Sequence, residues 1–198
     1  MSQEDLNALP PIPGYADACR REQDNRHLAV TLGCLPLCGL PVAQLTPAHW
    51  TRLTICGNAF VCGREPMPED VAMFLWFVSP EYVTDKRKRD KFIKRHVRRL
   101  PFRQSVAEID EYLARTFQDS PSNNGSDGAP QYVAPVVFLV HLLGSQYGWE
   151  PVVTLNTPLA FIFQCLNAIK MRNNPRAIMF NPSDSVKARH LRERMGIN

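Results

Sequence analysis

A run of basic residues between positions 86 and 103 is the feature of this sequence with the clearest chemical meaning. The run holds ten Lys/Arg and a single acid, Asp90. At 100° per residue, its apolar residues fall on one helical stripe: Phe92, Ile93, His96, Val97 and Leu100. The opposite side of this helix carries seven cations and no acid, and we refer to it as the basic face: Arg87, Lys88, Lys91, Lys94, Arg95, Arg98 and Arg99.

Several cations of the basic face are spaced four residues apart and are therefore neighbours on a helix: Lys91–Arg95, Lys94–Arg98 and Arg95–Arg99. Each like-charge pair of this kind destabilises an isolated helix by about 0.2–0.5 kcal/mol. A face that served only to keep the protein in solution would include acids among its cations. The pattern therefore predicts an acidic partner for the basic face, inside the protein or outside it.

Three kinds of acidic partner are compatible with the sequence. The first is the protein's own set of acids on the following helix, Glu108, Asp110 and Glu111, in which case the basic face is a solvated surface. The second is nucleic acid, because phosphate contacts need only Lys and Arg. The third is the acidic surface of another protein.

The net charge of +4 conceals an uneven distribution of charge along the chain. Residues 86–103 carry +9, and residues 170–194 carry +5 from seven Lys/Arg and two acids. The remainder has six basic and sixteen acidic residues and carries −10. The distribution of charge, rather than its total, is therefore informative about a partner.

Six cysteines are the candidates for metal binding: Cys19, Cys34, Cys38, Cys56, Cys62 and Cys165. Three residues separate Cys34 from Cys38, and five residues separate Cys56 from Cys62. In common zinc knuckles, only two residues separate the paired cysteines. Their clustering makes these four weak candidates for a zinc site. The alternative is that they are reduced thiols that pack as small apolar side chains, and the sequence predicts no cofactor.

No catalytic motif is complete in this sequence. It lacks the Gly-x-Ser-x-Gly of a nucleophile elbow, the His-Glu-x-x-His of zinc proteases and a Walker-type Gly-Lys-Ser/Thr. The sequence therefore predicts that the protein is not an enzyme. For a binding protein, Trp149 is a candidate anchor, and packing between the neighbouring helices is its alternative role.

Helices must position these side chains, and the sequence marks where several of them begin. Thr46 followed by Pro47 is typical of a helix start. Pro68 with two acids after it predicts a second helix. The body of this second helix, Val71–Val78, is apolar on every side, so it is expected to be the central buried helix.

The basic face belongs to a third helix, which is predicted to run from Thr84 to about Arg99. Ser105 and Glu108 have the spacing of a capping box. This spacing predicts that the next helix begins at Ser105.

The predicted fold class is mostly α, a single-domain helical bundle of six or seven helices with an irregular N-terminal segment. Residues 1–45 are interrupted by many Pro and Gly residues, so they are expected to form an irregular arm. Within this arm we expect a short helix around residues 17–25, and an extended segment with at most one short strand at residues 28–42. Residues 46–198 are expected to form the helical domain. Within it, residues 119–131 are rich in Ser, Asn, Asp and Gly and are expected to form a flexible loop.

The sequence contains no candidate membrane segment. Its longest uninterrupted apolar run is Val71–Val78, with eight residues, whereas a membrane span needs about 18 or more. Its first residues do not have the basic, apolar and small-residue series of a signal peptide. We therefore expect a cytoplasmic protein without a membrane partner.

Two parts of the chain resemble small proteins encoded among the tail genes of bacteriophages and prophages. The first part combines Gly-Asn-Ala-Phe at 57–60 with Pro-Glu-Asp-Val-Ala-Met-Phe-Leu-Trp-Phe-Val-Ser-Pro at 68–80. The second combines Tyr-Gly-Trp at 147–149 with Asn-Thr-Pro-Leu at 156–159 and a helix containing Gln164. This arrangement is similar to the aromatic loop and the short Pro-Leu-led helix of phage tail assembly chaperones and related morphogenesis proteins.

The resemblance covers residues 45–100 and 133–172 approximately. It implies a small helical protein without an enzymatic role that binds a tail component, often the long tape-measure protein. Such a protein acts in the host cytoplasm as an assembly chaperone or is incorporated in the virion. The alternative function is that of a nucleic-acid-binding protein that uses the basic helix at residues 84–100.

Overall fold

The computed structural model describes residues 13–21, 23, 34–118, 120, 134–174, 186–187 and 190. These residues are mostly helical, which confirms the predicted mostly-α character. The chain divides into two compact units. The larger unit is Leu32–Ala168, and the other combines Met1–Thr31 with Ile169–Asn198. The basic face belongs to the larger unit.

The larger unit begins with two antiparallel strands, β1 (Cys34–Leu37) and β2 (Leu40–Ala43). The helices follow in chain order: α1 (Pro47–Ile55), α2 (Ala59–Cys62), α3 (Pro68–Val78), α4 (Lys86–Phe92), α5 (Phe102–Phe117), α6 (Pro135–Tyr147), α7 (Pro151–Asn156) and α8 (Leu159–Asn173). A π-helical turn, Ile93–Val97, continues α4 without a break. The last residues of α8 extend beyond the larger unit.

The β1–β2 hairpin corrects the prediction of an irregular arm with at most one short strand, whereas the helical residues 15–21 agree with the short helix predicted around residues 17–25. Cys38 and Gly39 form the turn with φ values of 52° and 73°. Positive φ at both central residues is typical of the two-residue turn that matches the twist of paired strands. The hairpin contributes two buried side chains to the core, Leu37 and Val42.

Two side chains of α5 hold the hairpin in place. The Glu108 carboxylate accepts a hydrogen bond from the backbone N–H of Cys38 at 2.7 Å. The Tyr112 hydroxyl donates to the carbonyl oxygen of Ala43 at 2.9 Å. Glu108 therefore fixes the turn of the hairpin instead of completing a capping box.

The prediction that a helix begins at Ser105 is wrong. α5 begins one turn earlier, at Phe102, with Pro101 at its N-cap position. Ser105 is buried within the helix, and its hydroxyl donates to the carbonyl oxygen of Pro101 at 3.0 Å. A serine inside a helix readily makes such a bond to the preceding turn.

The start of α1 confirms the prediction from Thr46 and Pro47. The Thr46 hydroxyl accepts from the N–H of His49, and His49 Nδ1 accepts from the N–H of Thr46, both at 3.3 Å. This is a capping box with histidine in the place of Glu or Gln. Burial, reinforced by the positive charge of Arg52, lowers the pKa of His49 to about 4. The imidazole is therefore neutral at pH 7, and Nδ1 remains an acceptor.

Lowering the pH from 7 to 5 is expected to destabilise the protein through His49. The pKa of an unfolded histidine is about 6.5, and that of His49 in the folded protein is about 4. The unfolded state therefore binds the proton first, and stability present above pH 6.5 is lost as the pH falls towards 4. Between pH 7 and pH 5 this loss amounts to about 2 kcal/mol.

His49→Gln keeps an acceptor at the same capping position but does not titrate. The variant is expected to lose about 2 kcal/mol less than the wild type when the pH falls from 7 to 5. Urea unfolding at the two pH values measures this difference. Equal losses in both proteins would contradict the role of His49.

α3 is the central helix, as predicted from its apolar body. Phe74, Leu75 and Val78 are fully buried. The ring of Phe74 packs edge-on against Phe60 of α2 and Tyr112 of α5, with centroid distances of 5.4 and 6.0 Å. α3 therefore joins the short helix before it to the long helix after it.

An acid in the first turn of α3, Asp70, is buried and fully engaged. Its carboxylate accepts from the backbone N–H groups of Ala59 at 3.1 Å and Met67 at 2.9 Å, and from the guanidinium of Arg64. Burial alone would raise the pKa of Asp70, but the bonds from Met67, Arg64 and Ala59 outweigh it and hold the pKa below its usual value. The carboxylate therefore stays charged and ties α2 to α3.

The described residues contain more helices than the six or seven predicted. The prediction missed α2 and α7 because they are short. They have four and six residues, which is too few for hydrophobic periodicity to reveal. The predicted loop at 119–131 lies, apart from Ser120, outside the described residues. Among the helices of the described ranges, none is long and apolar enough to cross a membrane.

Candidate partner-binding surface

The basic face lies on α4 and on the π-helical turn that follows it. Asp85 caps α4, since its carboxylate accepts from the N–H groups of Arg87 and Lys88 at 2.7 and 3.2 Å. Further along, the N–H of Arg98 donates to the carbonyl oxygen of Ile93 at 3.0 Å. This bond spans five residues instead of four and defines the π turn. The predicted basic helix is therefore present, with a widened second half.

Aromatic packing fixes the apolar side of this helix against α3. Phe92 and Val97 are buried. The ring of Phe92 lies between Trp76 of α3 and His96, with a centroid distance of 5.2 Å to each. The predicted apolar stripe faces the protein, so the cations on the other side are held towards solvent.

All seven residues of the basic face are exposed. Within the described part of the chain, the ion pairs involve other residues: Arg64–Asp70, Arg89–Asp90 and Arg115–Glu111. None of the seven cations pairs with an acid of the described residues. The basic face is therefore a row of like charges without a counter-charge from these residues.

The acids of α5 that could have balanced the basic face form no ion pair with it in the described residues. Glu108 accepts from the backbone of Cys38 and from the side chain of Gln104. Glu111 pairs with Arg115 one turn along the same helix. Asp110 is exposed. Internal pairing of the basic face with these acids is therefore not seen in the described residues.

A groove of about 780 Å³ opens between the first half of α3 and the helix that carries the basic face. Its floor and walls are largely apolar: Pro68, Val71, Ala72, Met73, Ile93, Val97, Leu100 and Phe102. Its charged lining residues are Glu69, Arg89, Asp90, Lys94 and Arg98. The sequence alone does not reveal this groove, because only the packing of α3 against the basic helix brings these residues together.

The groove divides the basic face into two parts. Lys94 and Arg98 line the groove, and we refer to them as the groove pair. The other five do not line it, and we refer to them as the outer cations: Arg87, Lys88, Lys91, Arg95 and Arg99. Arg89, which lies outside the predicted basic face, also lines the groove, but Asp90 pairs with it at 3.1 Å.

The four cysteines proposed as weak zinc candidates have different environments. Cys38 is buried in the hairpin turn with its Sγ 3.9 Å from the carbonyl oxygen of Ser105, and burial raises the pKa of this thiol. Cys56 and Cys62 are exposed, and Cys34 begins β1. Where the structure describes the chain, no three His, Cys, Asp or Glu side chains form a group that could hold a metal ion.

Trp149, the candidate anchor, is half-buried between α6 and α8. Its ring stacks on Phe161 at an interplanar angle of 10° and lies 5.8 Å from the ring of Tyr147. The Tyr147 hydroxyl in turn donates to the carbonyl oxygen of Cys165 at 3.2 Å. The indole therefore takes part in the packing of these helices, and its role as an anchor stays a prediction.

Comparison of the chain with protein-family models, with curated proteins and with solved structures finds no match.

Proposed function

We propose that this protein is a non-enzymatic binding protein whose basic face holds an acidic segment of another protein. The observation that carries the proposal is a row of seven exposed cations that form no ion pair with the described residues. Neighbouring like charges on a helix repel each other, and the buried Phe92 and Val97 hold them in place. An acidic segment of a partner would replace this repulsion with attraction.

The partner that we propose is a bacteriophage tail component, with the tape-measure protein as the first candidate. This choice comes from the resemblance of residues 57–60, 68–80, 147–149 and 156–159 to phage tail assembly chaperones and related morphogenesis proteins. The protein would act in the host cytoplasm while the tail assembles. If the complex of this protein with the tail component is not released, the protein would instead remain in the virion.

Nucleic acid is the second candidate partner, because exposed Lys and Arg residues are sufficient for phosphate contacts. The groove beside Lys94 and Arg98 favours a protein instead. Its apolar lining would stay in water under a sugar–phosphate backbone, whereas apolar side chains of a protein could cover it. We therefore place an acidic protein segment first.

Recovery of the tagged protein from infected or lysogenic cells tests the proposal. We expect a tail protein, identified by mass spectrometry, to be retained after nuclease treatment and to be released when the salt concentration is raised. Arg115→Gln, which changes an arginine outside the basic face, serves as a control and is expected to retain the same protein. Retention of nucleic acid alone, displaced by a random-sequence DNA duplex, would instead support the second candidate.

A further inference from the structure

We propose that the groove between α3 and the π-helical turn takes a peptide segment that combines large apolar side chains with acidic ones. This inference rests on the proposed function and specifies the chemistry of the partner. The apolar side chains would lie on the floor of the groove, and the carboxylates would bind the groove pair, Lys94 and Arg98. The outer cations would attract the segment without contacting it in the groove.

The exposed part of the apolar lining favours an apolar occupant. Phe102 is 38% exposed, and Met73 and Leu100 are each partly exposed. The volume of about 780 Å³ lies within the range of about 300–1,000 Å³ that is common for sites that enclose ligands. Covering these side chains removes apolar surface from water, which is the main source of affinity at the centre of protein interfaces.

The charges around the groove require acids on that occupant. Arg89 and Asp90 neutralise each other. Glu69 stands in the first turn of α3, where the positive end of the helix dipole offsets its charge. Lys94 and Arg98 are left without an ion pair in the described residues, so the wall formed by the π turn is cationic.

The π turn itself is an independent indication of a site. π-Helical turns disturb the regular hydrogen bonding of a helix and are rare in proteins. Where they do occur, they are often found at functional sites. Here the turn places Lys94 and Arg98 on the wall that also contains Ile93 and Val97. Cationic and apolar side chains thus lie on the same wall of the groove, and an amphipathic helical segment whose apolar face is flanked by acids would match it.

A matched pair of double variants tests the groove. Lys94→Gln with Arg98→Gln removes the groove pair, and Lys91→Gln with Arg95→Gln removes two outer cations. Each double variant changes one Lys and one Arg, exposed and four residues apart on the same helix. Thermal melting of both variants checks that they fold alike.

The probe is a fluorescently labelled synthetic peptide with Leu at helical positions i, i+3, i+4 and i+7 and Glu elsewhere. Its control is a scrambled peptide of the same composition, whose Leu residues do not share one face. We expect the groove-pair variant to bind the first peptide about tenfold more weakly than the wild type and the outer-cation variant less than about threefold more weakly. The wild type is expected to prefer the first peptide over the scrambled one by about tenfold.

Two other outcomes would overturn the inference, and they differ in what they say about the proposed function. Equal losses in the two double variants, with equal binding of both peptides, would show that the basic face binds acids without using the groove, and the proposed function would stand. No binding of either peptide, with tight binding of a random-sequence duplex, would overturn the groove proposal and the proposed function together.

Discussion

Replacement of Asp70 by alanine is expected to lower the free energy of unfolding by about 2–3 kcal/mol. Asp70 is 5% exposed, and its carboxylate accepts from the N–H groups of Ala59 and Met67. The Ala59 N–H is buried and costs about 1–3 kcal/mol when it is left without an acceptor, whereas the Met67 N–H is only part-buried and can reach water at a smaller cost. Arg64 is half-exposed and can turn towards water, so the larger part of the loss comes from the buried Ala59 donor.

Glu69 offers a matched control for this prediction, because it is the neighbouring acid in the same first turn of α3 but is exposed. Glu69→Ala is expected to cost less than about 1 kcal/mol, the contribution of an acid near the start of a helix. Urea unfolding with a common slope measures both variants. A loss below about 1 kcal/mol for Asp70→Ala would contradict the role of this carboxylate in joining α2 to α3.

Removal of five cations of the basic face is expected to weaken binding of the acidic peptide about a hundredfold at low salt. The five are changed to glutamine together: Arg87, Lys91, Lys94, Arg95 and Arg98. An exposed ion pair contributes about 0.2–1 kcal/mol, and a hundredfold loss corresponds to about 2.7 kcal/mol. The salt dependence of binding is expected to flatten, because fewer charges are available for screening.

Peptide titrations at two or more salt concentrations measure both quantities. Arg115→Gln controls for the loss of a positive charge outside the basic face. Arg115 is exposed and pairs with Glu111 on α5. We expect this control to bind within about twofold of the wild type. With a random-sequence duplex as the probe, the logarithmic salt slope would fall by about 0.9 for each phosphate that the variant no longer neutralises. Affinity of the five-residue variant within about twofold of the wild type would contradict the role of the basic face.

The parts of the fold that local sequence determines could be predicted. Thr46 in α1 and Asp70 in α3 accept their capping bonds from within one helical turn, and Pro47 and Pro68 stand at the first helical position, so the starts of α1 and α3 are visible from spacing alone. The apolar body of α3 likewise predicts its central position.

Features that depend on distant residues could not be predicted in this way. Glu108 has the spacing of a capping-box acid. Its carboxylate instead accepts a hydrogen bond from the N–H of Cys38, which is 70 positions away in sequence. The turn at Cys38 and Gly39 lacks the Asn-Gly or Asp-Gly pattern that usually reveals such a hairpin.

The candidate site was predictable only in part for the same reason. Periodicity separates the cations of the basic helix from its apolar stripe, and the structure shows those cations exposed. Periodicity at 100° per residue assumes a regular α-helix, so it does not show the π turn from Ile93 to Val97. The division into groove pair and outer cations depends on how α3 packs against this turn, which no local pattern specifies.

The most direct test of the central claim, that the basic face serves an external acidic partner and not the fold, is thermal melting of the five-residue glutamine variant at low ionic strength. We expect its melting temperature to equal or exceed that of the wild type, because the change removes the like-charge pairs Lys91–Arg95 and Lys94–Arg98 without breaking an ion pair of the described residues. A melting temperature several degrees below that of the wild type, about 1 kcal/mol of stability or more, would show that these cations stabilise the fold and would contradict the claim.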